Sequence, residues 1–513
     1  MTLSLWARIS YCLFIIPLIL GGLPFIPRSI GTPRNFLFAG LALFLGSLFK
    51  KDFRENFKKI ITNQREDLNQ EQYLLWFRII LMTAFIFYLK VLVLNTYSFQ
   101  LVDVDFSYFD QMIGNYIRGK GWWSDSCECN HMGVHSTYYF YLFAPFHYLF
   151  DSPLFLQTIH GVSLASALIP LKGILEHFKI RKDLSLLLIF SYISYSPAII
   201  ILNYNFHFEV FYIPLFLAMM LFYFKEKWRW VHLFAFLSLL VKEDAGFYLL
   251  GFVLAVCYEK RNFKQATLLL AYTVVVTLVS LKVFIPSFRG TENYVIAGTA
   301  SIYGSSIKEV VFNMAKDPFG VLKLVFTGRW WKFLLPFAGI PLLQIGFLLS
   351  VSSFVLIHST ASSSVMRNLM LYYVAPLLPF LIAYYLQGVS KLQKKNYIIL
   401  YSALFIAFVG GGRVRMEPLN SFHLEALDYI HSLDLKEKSI CAQGSVMPHL
   451  GHESKFTTLR KCDFDNNNYD LVFIATNMKL YPFSREEINE KNELVASKYK
   501  LLKKIDGFYV YEK

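Results

Sequence analysis

A mainly α, polytopic transmembrane fold with a small C-terminal α/β domain is predicted by this sequence, and three observations carry the prediction. Of 513 residues, 55% are hydrophobic, above the roughly 45–50% of soluble domains. The excess is concentrated in blocks of about 15–25 residues, the length that crosses a bilayer. Lys and Arg gather in short segments between those blocks, as they do in the cytoplasmic loops of membrane proteins. The net charge of +14 therefore reads as topology, and no nucleic-acid partner is expected.

Residues 1–73 hold two apolar blocks, Ser10 to Phe25 and Phe36 to Phe49, then a basic stretch from Lys50 to Arg65. That stretch places residues 50–73 in the cytoplasm. No small-x-small cleavage site follows the first block, which reads as a retained helix and not a signal peptide.

Residues 74–411 form the main membrane domain. The block Leu74 to Leu94 leads outward and delivers Asp103, Asp105 and Asp110 to the outer face. The aromatic, Pro-containing stretch Thr137 to Phe150 suits a re-entrant or interfacial helix. Pro153 to Leu175 crosses to the basic His177–Lys182, and Leu184 to Leu202 returns to Asn203–Glu209. Val231 to Val241 and Phe247 to Tyr258 are each too short to cross alone. They read as a hairpin of two short helices with Lys242-Glu243-Asp244 at its outer tip. Trp330 to Ile357, broken by Pro336 and Pro341, reads as two short spans. The chain then crosses twice more, to Gly410-Gly411-Gly412, for about 11–13 membrane segments in all.

Residues 412–513 change character. A helical pattern at Leu424–Leu433, strand candidates at Ser439–Gln443 and Leu471–Ala475, and a charged helical run at Arg485–Tyr499 make a small α/β domain. By the count it lies outside. Of the six cysteines, Cys127 and Cys129 are too close for a standard zinc pair. Cys441 and Cys462 are able to bridge only if this tail is exported.

The polar residues that carry chemistry all fall at the outer ends of these segments. Asp103-Val104-Asp105 matches a D-x-D metal signature and equally a helix cap. A carboxylate at the membrane–water boundary suits general-base work, because partial desolvation raises its pKa. His207 and Glu209 end a span. Lys242, Glu243 and Asp244 stand inside an apolar region, where three charges cost several kcal/mol unless paired or hydrated. The lysine suits a phosphate or pyrophosphate, and the carboxylates suit a sugar hydroxyl or a divalent metal. His131 and His135 share a spacing of four, but Gly133 between them argues against a helix. No cofactor is firmly implied.

Asp105-Phe106-Ser107-Tyr108-Phe109-Asp110-Gln111, with Arg118-Gly119-Lys120-Gly121 downstream, resembles the F-D-L-G-x-F-D-Q…G-x-G opening of a bacterial family. That family comprises uncharacterised polytopic membrane proteins, a domain of unknown function grouped with the GT-C glycosyltransferases. Gly133-Val134-His135-Ser136-Thr137 is similar to its G-D-H-x-S-P motif and Phe206-His207-Phe208-Glu209 to its F-H-P-E. Lys242-Glu243-Asp244-Ala245-Gly246 matches its V-K-E-D-x-G, and Pro448-His449-Leu450 its P-H-L. The resemblance covers 74–513. Val134 in place of Asp and Phe208 in place of Pro weaken any metal role for those two loops.

The resemblance implies a GT-C-like fold in the bacterial inner membrane, with an extracytoplasmic site that takes a sugar from a polyprenyl-phosphate carrier. It places a base at Asp105, with Asp110 as its alternative or partner. His135, His207, Glu209, Lys242, Glu243 and Asp244 are the expected substrate-binding residues. The expected reaction is inverting hexosyl or pentosyl transfer to an envelope glycan, lipid or protein acceptor, for which a metal is possible but not required. A lipid-linked glycan transporter or flippase, or a non-catalytic envelope scaffold, are the alternative readings.

Overall fold

The computed structural model describes residues 66–513 except 102–103, 125–128, 151, 205, 290–300, 452–454 and 467, with a few positions before 66. Both N-terminal apolar blocks, and Asp103, lie outside the described residues.

The first long helix among the described residues, α1 (Gln70–Tyr97), starts where the Asn69 side chain accepts from the Gln72 N–H. This cap satisfies an amide that the first turn leaves without a partner. After α2 (Val104–Ile117) and α3 (Tyr139–Leu149), α4 (Leu154–Ser166) and α5 (Leu168–His177) make one 24-residue apolar rod. The return path is α6 (Lys182–Ile193) and α7 (Ser196–Asn203). It breaks at Ser194–Tyr195, where Gly410–Gly412 supplies backbone partners: Ser196 N–H donates to Gly410 and Gly412 N–H to Ser194.

Next come α8 (Tyr212–Phe224), α9 (Trp228–Leu239), α10 (Ala245–Ala255) and α11 (Phe263–Val279). Wider turns and a short helix extend α11 to Arg289, making a 27-residue apolar segment. Helices α12 (Ile307–Lys316) and α13 (Pro318–Thr327) follow, then α14 (Ile345–Thr360), α15 (Leu377–Ser390) and α16 (Lys395–Phe408). Among the described residues, α1, α4–α5 and Phe263–Arg289 are long and apolar enough to cross a membrane, and α8, α14, α15 and α16 are shorter apolar helices.

The expected first short span between Trp330 and Pro341 is not a helix. Residues 329–343 form three successive 3₁₀ turns. They start beside Ser359, at one end of α14, and finish beside Gly388 and Gln344, at the other. Pro336 and Pro341 deny the segment α-helical hydrogen bonds. Non-helical backbone at this depth is tolerated where protein surrounds it, and Trp330, Phe333, Pro336 and Phe337 are buried.

These crossings give the bundle two chemically distinct ends. At one, Lys260 pairs with Glu226 at 2.7 Å and the Lys182 N–H donates to Asp67 at 2.9 Å. Lys179, Glu226 and Arg261 close their helices there in the left-handed region. At the other end, Tyr138 meets Ser280 at 3.1 Å and the Ile302 N–H donates to Thr360 at 2.9 Å. The exposed aromatic face of α3, with Tyr148 71% accessible, also lies at this end.

The C-terminal layer sits at this second end. Its sheet has the order β2-β1-β3-β5-β4, with β1 (Ser439–Ala442) parallel to β2 (Lys455–Thr458) and to β3 (Leu471–Ala475). Strands β4 (Lys500–Ile505) and β5 (Phe508–Glu512) run antiparallel to each other, and β5 runs antiparallel to β3. Helices α17 (Ser421–Ser432) and α18 (Arg485–Lys498) complete it, and Cys441 is disulfide-bonded to Cys462. Phe99, just past α1, is wholly buried in this layer's core against His449, His423 and Phe508.

Candidate functional site

The three motif loops at 131–136, 206–209 and 242–244 converge at the end that carries the C-terminal layer. Two glycines make this possible. A Cβ on Gly133 would lie 2.9 Å from the Arg289 Cα, and one on Gly246 would lie 1.9 Å from the Thr277 Oγ1. The first lets the histidine loop settle on the end of the long apolar segment. The second lets α10 lie against α11, which fixes the position of Lys242-Glu243-Asp244 just ahead of it.

Each acidic side chain in the cluster is held from at least two directions. Glu209 takes Lys242 Nζ at 2.8 Å on one oxygen and His207 Nδ1 on the other. Glu243 takes His135 Nδ1 at 2.7 Å and the Ser136 N–H at 3.0 Å. Asp244 accepts from the hydroxyls of Tyr212 and Tyr248, the latter at 3.1 Å. His207 Nδ1 and Glu209 meet although they are two residues apart, because His207 is extended at φ −145°, ψ 144°. Tyr372 stacks on the His207 ring at 3.6 Å and lies 6.0 Å from Lys242 Nζ.

Charge balance follows from this wiring. Burial opposes the Lys242 ammonium, but Glu209, Asp244 and Glu243 outweigh it and hold its pKa well above the ordinary lysine range. Burial likewise opposes the Glu243 carboxylate, and His135 with Lys242 overcomes it and keeps the group below its usual value. Burial, then the charges of His135 and Lys242, push His131 far down, so that its ring is neutral. Carboxylates, hydroxyls and imidazoles gathered around one buried ammonium are able to hydrogen-bond the hydroxyls of a polyol.

The wall opposite the loops is α2. Phe109 places its edge against His131, His207, Phe206 and Phe208, with centroids 5.0–6.2 Å away. Asp105 stands one turn earlier in the same helix, at the position that shares Phe109's face. Asp110, one residue beyond Phe109, faces elsewhere. It is buried with His147 Nε2 of α3 at 2.9 Å. Of the expected residues, His135, His207, Glu209, Lys242, Glu243 and Asp244 are brought together.

Tyr372, Tyr212, Tyr248, Phe109 and His147 are not among the expected site residues. The i, i+4 spacing of Asp244 and Tyr248 is readable in the sequence; Tyr372 carries no comparable signal. Among the described residues no group of three His, Cys, Asp or Glu side chains is placed to hold a metal ion.

A mainly helical membrane bundle with a small sheet and loop-borne charges at one end has counterparts of known structure. ArnT from Cupriavidus metallidurans in the apo state is similar with a TM-score of 0.52 at 10% identity. The same protein bound to undecaprenyl phosphate is similar with a TM-score of 0.51 at 9% identity. In each case 86% of this chain and 98% of the other are covered. The fold is that of the GT-C glycosyltransferases. The chain itself belongs to the DUF2079 family of predicted membrane proteins, matched over residues 95–432. No curated protein matches it.

Proposed function

We propose that the protein is an inverting membrane glycosyltransferase that moves a sugar from a polyprenyl-phosphate donor to an acceptor at the extracytoplasmic face. The observation that carries this reading is the convergence of three motif loops on α2 at one end of a GT-C fold, opposite the basic end. ArnT, with the same fold, has been captured with undecaprenyl phosphate, which supports the donor class.

In the proposed step the acceptor hydroxyl gives its proton to the Asp105 carboxylate while its oxygen attacks the anomeric carbon. That carbon's bond to the phosphate oxygen breaks, and the leaving polyprenyl phosphate carries the electron pair away. Lys242 meets the charge that develops on the phosphate. His207, Glu209, His135, Glu243 and Asp244 hold sugar hydroxyls. Asp110, held by His147, fixes the pitch of α2 and with it the place of Asp105.

Two features support an extracytoplasmic site. Basic side chains collect at the far end, as cytoplasmic loops do. The Cys441–Cys462 disulfide lies at the site end, and such bonds persist in oxidising compartments.

The test is Asp105→Asn, assayed in purified protein for consumption of polyprenyl-linked sugar. A general base contributes about 10²–10⁴-fold, so transfer falls by at least about 10²-fold while folding is retained; unchanged transfer rejects Asp105 as the base. Single cysteines at Lys120 and Lys394 test the sidedness: a membrane-impermeant thiol reagent in intact cells labels the first and not the second.

A further inference from the structure

The end of the bundle away from the site carries a second polar cavity, of about 570 Å³. Helix α10 does not stop in an ordinary turn but widens into a π-helical turn, Val256–Lys260, and closes at Arg261 with φ 49°. The wider turn carries the Glu259 carboxylate inward, where Tyr223 OH donates at 2.7 Å and Tyr384 OH at 3.2 Å. Lys260 is occupied by Glu226 at 2.7 Å. Arg261 and Lys391 remain at the mouth, exposed, with no carboxylate in ion-pair range among the described residues.

The chain just beyond Arg261 sets the depth of this mouth. Past Lys264 the helical segment that begins at Phe263 is free of charged residues as far as Leu281, so its apolar run starts close to Arg261. Phe263 is 66% accessible and Tyr258 54%, which gives the cavity an apolar flank on the lipid side. A guanidinium and an ammonium above an aromatic flank match a phosphate that has acyl chains attached. Basic pockets between helices on the cytoplasmic side are recurrent sites for anionic headgroups.

We propose that this cavity binds the phosphate headgroup of an anionic phospholipid from the adjacent leaflet, with Arg261 and Lys391 as its cationic contacts. The site is separate from the glycosyl-transfer reading and stands or falls without it.

The test uses full-length protein purified in detergent, supplied with phosphatidylglycerol or phosphatidylcholine and examined by native mass spectrometry. Wild-type protein retains phosphatidylglycerol over phosphatidylcholine. The Arg261→Gln/Lys391→Gln double variant retains at least tenfold less, and the charge-preserving Arg261→Lys/Lys391→Arg variant retains it. Millimolar inorganic phosphate leaves retention unchanged. Equal retention by the Gln variant overturns the proposal. So does displacement by inorganic phosphate at that concentration, which would make the site one for free phosphate.

Discussion

Lys242 Nζ and Glu209 lie 2.8 Å apart with both side chains nearly closed to water, so neither charge is tolerable alone. Removing one partner of such a pair costs about 3–5 kcal/mol because the other is left buried and uncompensated. Lys242→Met is accordingly expected to lower stability by that amount in thermal unfolding of the purified protein. The Lys242→Met/Glu209→Gln double variant should lose less than the sum of the single losses, by about 0.5–3 kcal/mol; strict additivity would mean that the pair is not coupled. Tyr248→Phe is a milder probe. It removes one of the two hydroxyls on Asp244 and should cost about 1 kcal/mol.

At the scale of elements, the close passage of α10 and α11 decides where the acidic motif stands. A Cβ on Gly246 would come within 1.9 Å of the Thr277 Oγ1, so Gly246→Ala forces the helices apart or rotates the threonine. Overpacking of this kind costs about 1–3 kcal/mol. Thr277→Ala in the same chain should restore most of the lost stability, read as the unfolding midpoint of single against double variant; if it does not, the glycine serves backbone conformation and not contact.

This element also marks how far the sequence can be read. Charges inside an apolar run are conspicuous, because bilayer hydrocarbon excludes them unless they are partnered, and so Lys242-Glu243-Asp244 and His207/Glu209 stand out. The direction in which Asp110 faces depends on the rotation of α2 against α3, which no local pattern in Ser107–Gln111 encodes. The path of residues 329–343 escapes the sequence for a similar reason. Hydrophobic length suggests a span, and only the surrounding helices make buried 3₁₀ turns acceptable in its place. In the C-terminal layer, the buried strand β3 is legible as a continuous apolar run. The edge strands β2 and β4, with Lys at several positions, are not.

For the molecule as a whole, the stretch that carries Asp105 is tied at its start to the C-terminal layer. Phe99 is buried in that layer's core, and His449 Nε2 donates to the Thr96 carbonyl at 3.1 Å while its ring packs on Phe99 at 4.7 Å. The Pro448-His449-Leu450 motif thus acts as an anchor for the loop between α1 and α2. Burial pushes the His449 imidazole down to about 4, against about 6.5 in an unfolded chain. Between those values the undocked chain takes up a proton that the docked chain refuses, so docking is fully present above about pH 6.5 and weakens as pH falls toward 4. A difference of this size amounts to at most about 3 kcal/mol. Burial also lowers His423, whose ring stacks near Phe99, to about 4, and it adds to the effect in the same direction. Hydrogen exchange of residues 421–432 and 471–475 should therefore accelerate between pH 6.5 and 4.5 beyond the intrinsic pH dependence of exchange. His449→Gln should flatten that profile in part, and the His423→Gln/His449→Gln variant should flatten it further. A profile unchanged in both variants would separate the C-terminal layer from the positioning of Asp105 and leave α2 held by α3 and by the contacts of Phe109 with the motif loops.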